Sequence, residues 1–322
     1  MSIPAKDSIN IVFAHAAYRM GDAIGGRKTG LKFQEVRTPD ALKAAMPNAD
    51  VLVVSGLWKN ELLEGASRLR FVQSIGAGTD QFSREALKAA GVRLASAQGV
   101  NERAVSQHAM ALILSMVRQL HLARDNQANA TWRGMIADLA KREDELTGKT
   151  IVIVGFGRIG SRLAHLARAF DMKVIGVKRD NSGGNGAADR LVTPAALPEV
   201  LPQADFVALT CPLTPETQGL IGAAALTAMK PSAVLINVAR GRVVDEPALV
   251  AALKAGKIGG AALDCFWEEP LAQSPLWTLP NVIVTPHTAG ETRRYEENVI
   301  DILLENLDRL WRGQADLRNQ IV

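Results

Sequence analysis

Three segments in the C-terminal half place ionisable side chains at the ends of apolar, strand-like runs. Arg240 follows Leu235-Ile-Asn-Val-Ala239 and precedes Gly241. Glu269 lies in Asp264-Cys-Phe-Trp-Glu-Glu-Pro270, and His287 lies in Val282-Ile-Val-Thr-Pro-His287-Thr-Ala-Gly290. Open α/β sheets bind ligands beyond the carboxyl ends of their strands, so these three groups sit where chemistry is done. Taken singly, each has an ordinary reading. A strand-end arginine is often a surface charge, Glu268 and Glu269 could both be solvated, and a histidine after proline often only starts a helix.

A fourth segment is more specific. Ile151-Val-Ile-Val-Gly-Phe-Gly-Arg-Ile-Gly160 is an apolar strand running into GxGxxG, with a helix-like stretch, Ser161 to Phe170, after it. This is the context that a dinucleotide-binding turn requires. Gly155 permits the tight turn, Gly157 lets backbone approach a pyrophosphate, and Gly160 lets helix pack on strand. Amides at the helix start then face the phosphates. A strand–turn–helix junction without ligand is the bland alternative.

Cofactor choice is read at the end of the second strand of such a unit. Val174-Ile-Gly-Val177 is followed by Lys178, Arg179 and Asp180. Two cations suit a 2′-phosphate, which favours NADP(H). Asp180, about 20 residues after Gly160, is placed to accept from a ribose hydroxyl instead, so NAD(H) stays open, as does a solvated charged turn.

These groups need elements to hold them. Strands are predicted at Ile9–Ala14, Val51–Ser55, Phe71–Ile75 and Val92–Ala95, with helices over Pro39–Met46 and Arg84–Ala90 and Gly91 as a stop. A helix is predicted unbroken from Glu102 to about Gln127, with Ala109, Leu112, Ile113, Met116, Val117 and Leu120 on one face. Six further strands follow, at 151–154, 173–177, 206–209, 233–237, 261–264 and 282–285, and a last helix over Glu291–Trp311. Alternation of this kind predicts parallel sheets with helices on both faces. The loop Asn181–Ala188 reads as a flexible surface connection.

A chain of 322 residues favours two domains, and about 150 residues precede the nucleotide turn, so another domain comes first and the chain must build a cleft. No apolar run is long enough to span a membrane, and the N-terminus lacks the features of a signal peptide. Cys211 and Cys265 lie far apart in apolar surroundings, which suggests reduced thiols and a cytoplasmic protein. A net charge of +4 is spread without a basic tract, which argues against nucleic acid as a partner. No His/Cys/carboxylate cluster has metal-ligand spacing, so no metal is expected.

Together these segments resemble the D-isomer-specific 2-hydroxyacid dehydrogenase family. The resemblance runs through Gly76-Ala-Gly-Thr-Asp80, Gly148-Lys-Thr150, the GxGxxG, Cys211-Pro-Leu-Thr-Pro-Glu-Thr217, Met229-Lys-Pro231, Asn237-Val-Ala-Arg-Gly-Arg-Val-Val-Asp245, Glu268-Glu-Pro-Leu271, Ser274-Pro-Leu-Trp277 and Thr285-Pro-His287. It implies an α/β protein of two doubly wound parallel-sheet domains: a Rossmann cofactor domain (101–288) inserted into a flavodoxin-like substrate domain (1–100 and 289–322). Arg240, Glu269 and His287 are then the catalytic residues.

The reaction implied is hydride transfer from NAD(P)H to a 2-oxo acid of glyoxylate or hydroxypyruvate type, giving a D-2-hydroxy acid. His287 would supply the proton, Glu269 would favour its imidazolium, and Arg240 would bind the carboxylate with a fork that lysine cannot reproduce. Leu57, Trp58, Ala77 and Gly78, with Arg240 and His287, are the implied substrate contacts. Gly155, Phe156, Gly157, Arg158, Ile159, Gly160, Lys178, Arg179, Thr210, Cys211, Pro212, Thr217, Val238, Ala239, Asp264 and Gly290 are the implied cofactor contacts, Asp264 receiving the carboxamide.

The resemblance further implies a homodimer contacting through the long helix and the 124–147 segment. Two positions depart from the family pattern: Gln107 stands where Glu is usual, and Thr210 where many members have His. His108, like His15, His121 and His165, reads as structural. Two alternatives stay open. One is a phosphoglycerate dehydrogenase-like enzyme, less favoured because no regulatory domain is expected after Val322 and no further basic cluster serves a substrate phosphate. The other is a non-catalytic, dinucleotide-sensing protein like the dehydrogenase-related corepressors.

Overall fold

The computed structural model describes residues 3–180 and 185–322, and the chain divides into two units, 1–101 with 292–322, and 102–291. The first carries a parallel sheet of β1 (Ile11–Ala14), β2 (Phe33–Val36), β3 (Val51–Val54), β4 (Phe71–Ser74) and β5 (Arg93–Ala95). Its order is β2-β1-β3-β4-β5. β1, β3 and β4 are buried along their whole length, as expected where helices cover both faces. β2 escaped the sequence reading because Gln34 and Glu35 interrupt its apolar signal, which an edge strand half open to water permits.

The connecting helices are α1 (Met20–Gly25), α2 (Pro39–Ala45) and α3 (Arg84–Ala89). Thr38 caps α2 by accepting from the Ala41 amide at 3.3 Å, with Pro39 at the first position. Ser83 caps α3 in the same way, accepting from the Ala86 amide at 3.2 Å. The C-terminal helix Tyr295–Trp311 lays Val299, Ile300, Leu303 and Leu307 into the core formed by Phe13, Val51, Val53 and Phe71. Within that core the buried Asn306 is satisfied on both sides, donating to Gln73 Oε1 at 3.0 Å and accepting from the Arg318 amide at 2.7 Å.

The second unit opens on a helix that the sequence reading made too long. It divides into α4 (Glu102–Val117) and α5 (Leu120–Ala128), because Gln119 turns left-handed at φ 50°. The break is stitched: Val117 O accepts from the Asp144 amide at 3.0 Å and Gln119 Nε2 donates to Lys141 O at 3.1 Å. Apolar periodicity continues through the break, so it left no mark in the pattern.

α4 packs Ala109, Leu112 and Ile113 into one core with Leu163, Ala164 and Ala167 of α6 (Arg158–Ala169). The sheet strands are β6 (Thr150–Val154), β7 (Lys173–Val177), β8 (Arg190–Val192), β9 (Phe206–Leu209), β10 (Val234–Asn237), β11 (Gly260–Leu263) and β12 (Val282–Val284). They run parallel in the order β12-β11-β10-β9-β6-β7-β8. Six strands were expected. The seventh is β8, a three-residue edge strand that follows residues 181–184, which lie outside the described residues together with that part of the predicted loop.

The order reverses between β6 and β9, and Val154 ends its strand opposite Leu209. Crevices of this kind receive ligands in doubly wound sheets. The remaining helices, α7 (Leu197–Val200), α8 (Ala223–Ala228) and α9 (Glu246–Lys254), connect strands, and Asp245 caps α9 by accepting from the Ala248 amide at 3.1 Å. Among the described residues no helix is long and apolar enough to cross a membrane.

Candidate active site

In the glycine turn after β6, two positions exclude a Cβ and the third leaves the backbone open. Gly155 has φ 99°, and a Cβ there would meet the Cys211 nitrogen at 2.4 Å. A Cβ on Gly160 would meet Gly155 O at 2.5 Å, so α6 can lie this close to the strand only with glycine there. A Cβ on Gly157 would meet nothing within 4 Å, which leaves an open backbone face at the helix start. No side chain caps α6, so its first-turn amides stay available to a phosphate. These residues fit a dinucleotide's pyrophosphate.

Thr210, at the end of β9, braces the turn by donating to Gly155 O at 2.8 Å. Phe156 turns inward and packs on Gly176, so only its backbone can line the cradle. Arg158 is exposed and Ile159 half-buried in the first turn of α6. After β7, Lys178 is half-buried and its amide donates to Val192 O at 2.9 Å, while Arg179 and Asp180 are exposed. Glu216 is held below the ordinary carboxylate value first by a hydrogen bond from Thr214, and the Arg179 charge adds to this. Thr217 donates to Pro212 O at 2.7 Å and shapes the loop beyond the buried Cys211. Burial pushes the Cys211 thiol up to about 11, and burial raises Cys265 as well. Both are free and buried.

Arg240, Glu269 and His287 follow β10, β11 and β12, whose carboxyl ends lie side by side in the sheet. His287 Nδ1 lies 2.7 Å from Glu269 Oε2, and Glu269 Oε1 accepts from the Phe266 amide at 2.9 Å. The acceptor-only carboxylate therefore fixes the imidazole with a proton on Nδ1, and Nε2 is the atom that gains or loses a proton. That hydrogen bond raises the His287 pKa above the ordinary histidine value; burial and the Arg240 charge oppose the rise, and the Glu269 and Asp264 charges support it. For Glu269, burial pulls upward, but the bonds from His287 and the Phe266 amide and the neighbouring positive charges leave it below the ordinary value.

Arg240 is half-buried, and its Nη1 donates to Ala239 O at 2.8 Å. Asn237 shapes the backbone here: Oδ1 accepts from the Ala239 amide at 3.0 Å and Nδ2 donates to Arg240 O at 3.1 Å. Val238 is half-buried and Ala239 buried in the same turn. A Cβ on Gly241 would lie 1.9 Å from the Phe266 carbonyl carbon, so glycine alone lets the Arg240 loop pass against the loop carrying Glu269.

Asp264 is 2% exposed, and its carboxylate holds the turn that carries His287. Oδ1 accepts from Thr285 Oγ1 at 2.6 Å and from the Thr288 amide at 3.0 Å; Oδ2 accepts from the Ala289 amide at 3.0 Å. Each carboxylate oxygen has about two acceptor positions, so Oδ2 keeps one. Gly290, half-buried, follows that turn. Pattern reading missed Asn237 and Thr285, because a polar residue at a strand end looks like any other. It placed His108 as structural, although the ring reaches Thr285 Oγ1 at 3.0 Å.

The other expected substrate contacts belong to the first unit. Trp58 is 5% exposed, donates from Nε1 to Asn60 Oδ1 at 3.0 Å and packs on Phe82. Its indole is part of the core there. Leu57 is half-buried after β3, and Ala77 and Gly78 are half-buried after β4. Among the described residues no group of three histidine, cysteine or carboxylate side chains is arranged to hold a metal ion.

Residues 110–289 match the family model for the D-isomer specific 2-hydroxyacid dehydrogenase NAD binding domain. The chain is similar to the glyoxylate reductase of Pyrococcus furiosus, 37% identical over 284 residues, covering 87% of this chain and 82% of that protein. It is 34% identical over 284 residues to the D-3-phosphoglycerate dehydrogenase of Methanocaldococcus jannaschii, covering 86% of this chain but only 52% of that protein. In fold it is similar to the NADPH-dependent glyoxylate/hydroxypyruvate reductase of Sinorhizobium meliloti, solved with NADP and malonate. The TM-score is 0.82 at 25% identity, covering 98% of this chain and 97% of that one. The chain belongs to the D-isomer-specific 2-hydroxyacid dehydrogenase family of enzymes, and its cofactor is a nicotinamide dinucleotide.

Exchanging Glu269 for Gln tests the pairing. A reduction that takes its proton from this imidazole would slow as pH rises through the His287 pKa. The glutamate raises that pKa, which places the loss above the ordinary histidine value. In Glu269→Gln the alkaline limb of kcat/KM moves to lower pH. A profile unchanged from wild type contradicts the pairing.

Proposed function

We propose that the protein is a reductase of small 2-oxo acids of the glyoxylate and hydroxypyruvate type, working with NADPH in preference to NADH. The observation that carries this reading is the 2.7 Å His287–Glu269 pair at the strand ends, beside Arg240. When bound, the nicotinamide supplies the hydride. His287 Nε2 gives its proton to the carbonyl oxygen as the alcohol forms, and Glu269 holds the ring in place and stabilises its charged form. Arg240 binds the substrate carboxylate and polarises the carbonyl. Asp264 would hold the carboxamide, through the acceptor position that Oδ2 keeps beside the Ala289 amide.

Turnover of glyoxylate, hydroxypyruvate, 3-phosphohydroxypyruvate and longer 2-oxo acids with each cofactor tests the reading. Fastest NADPH consumption with the first two supports it. Preference for the phosphorylated acid points to the phosphoglycerate dehydrogenase reading, which the Methanocaldococcus jannaschii relative supports. Tight cofactor binding with no turnover of any acid leaves the dinucleotide sensor.

The cofactor preference rests on Lys178 and Arg179 after β7. A charge-assisted contact to a phosphate contributes about 1.5–3 kcal/mol. Arg179→Ala is therefore expected to raise KM for NADPH by about 10- to 100-fold and to change KM for NADH little; equal effects defeat the assignment. Trp132 at 98%, Met135 at 103% and Leu139 at 76% exposure support a homodimer in which a second copy covers them. Light scattering at twice the mass of the 34.5 kDa chain would agree, and a monomer would contradict it.

A further inference from the structure

We propose that His108 is a positioning residue for His287, acting through the hydroxyl of Thr285 and the carboxylate of Asp264. The proposal rests on the reading of His287 as the proton donor and extends it to a side chain on α4. Thr285 Oγ1 has one proton to give, and the carboxylate only accepts, so the hydroxyl donates to Asp264 Oδ1 at 2.6 Å. It must then accept from His108 Nε2, which lies 3.0 Å away. The direction of the chain fixes a proton on His108 Nε2. Asp264 Oδ1 lies 3.6 Å from the same nitrogen, so the ring also borders the carboxylate.

The far end of this chain is the catalytic turn. Asp264 accepts the Thr288 and Ala289 amides, directly after His287, while Thr285 is anchored two residues before it. Between these anchors His287 has φ 55°, a left-handed conformation that costs a non-glycine residue about 1–2 kcal/mol. Local preference alone would relax it. The hydrogen bonds on both sides hold it, and His108 fixes the rotamer of the hydroxyl that forms one of them. The charged groups acting on His287 are Glu269, Arg240 and Asp264, so a turn that loosens changes its distance from all three.

His108→Ala and His108→Gln test this in the full-length enzyme; a glutamine amide can still donate to Thr285. His108→Ala is expected to lower kcat about five- to tenfold, the scale of one lost hydrogen bond, with KM for NADPH within about twofold of wild type. The alkaline limb of its kcat profile moves to lower pH. His108→Gln restores most of both. A second readout is independent of turnover: with five histidines in the chain, nitrogen-15 NMR can follow the titration of His287 directly. Its midpoint falls in His108→Ala and returns in His108→Gln.

An unchanged His287 midpoint and kcat in His108→Ala overturns the proposal. So does a His108→Gln enzyme no better than His108→Ala, which reduces the ring to packing. A wild-type protein that turns over no 2-oxo acid defeats the functional reading instead, and the NMR titration still decides the role of His108.

Discussion

Replacing His287 with asparagine is expected to lower kcat for 2-oxo acid reduction by roughly 10²- to 10⁴-fold, the range supplied by a positioned general acid. Asparagine is the informative choice because the backbone there has φ 55°, which asparagine tolerates better than alanine does. It fills part of the imidazole's space, keeps hydrogen-bonding capacity toward Glu269 and cannot titrate. Cofactor affinity, measured by quenching of protein fluorescence, should stay near wild type, since the glycine turn and the residues after β7 are untouched. The alkaline limb of the pH profile should disappear with the imidazole. Turnover within a few-fold of wild type would remove His287 from the mechanism.

Replacing Arg240 is expected to be as damaging, but to act on both kcat and KM. Two charge-assisted hydrogen bonds to a carboxylate contribute about 1.5–3 kcal/mol each, so Arg240→Ala should lower kcat/KM by roughly 10²- to 10⁴-fold. Arg240→Lys separates charge from geometry. Lysine keeps the positive charge but loses the planar fork, so it should recover only a minor part of the loss. Full recovery by lysine would mean that Arg240 serves as a point charge only. The turn itself should survive either change, because Asn237 shapes it through backbone groups.

Much of this was legible in the sequence, for identifiable reasons. The strands at 151–154 and 206–209 are continuous apolar runs because both faces of the sheet are covered, and burial leaves a pattern. The three glycines of the turn could be given separate tasks before any geometry; the fold itself excludes a Cβ at Gly155 and Gly160 and leaves the backbone face of Gly157 open. What stayed hidden lacked such a pattern. β2 and β8 are edge strands with polar residues, and the break at Gln119 is made by contacts from residues 141 and 144, far along the chain. His108 illustrates the limit best. On α4 it is one polar residue in a helical stretch, and only the fold brings it to Thr285, 177 positions later. Trp58 shows the converse, since the sequence offers an aromatic beside a loop and cannot say whether it faces ligand or core.

The enzyme is expected to reduce a 2-oxo acid stereospecifically, with hydride from the nicotinamide cofactor and the proton from His287. Chiral analysis of the product from hydroxypyruvate and NADPH tests it most directly, because the new alcohol carbon records the face attacked. One D-glycerate is expected for each NADPH consumed. An L product, a racemate or no oxidation of NADPH would contradict it.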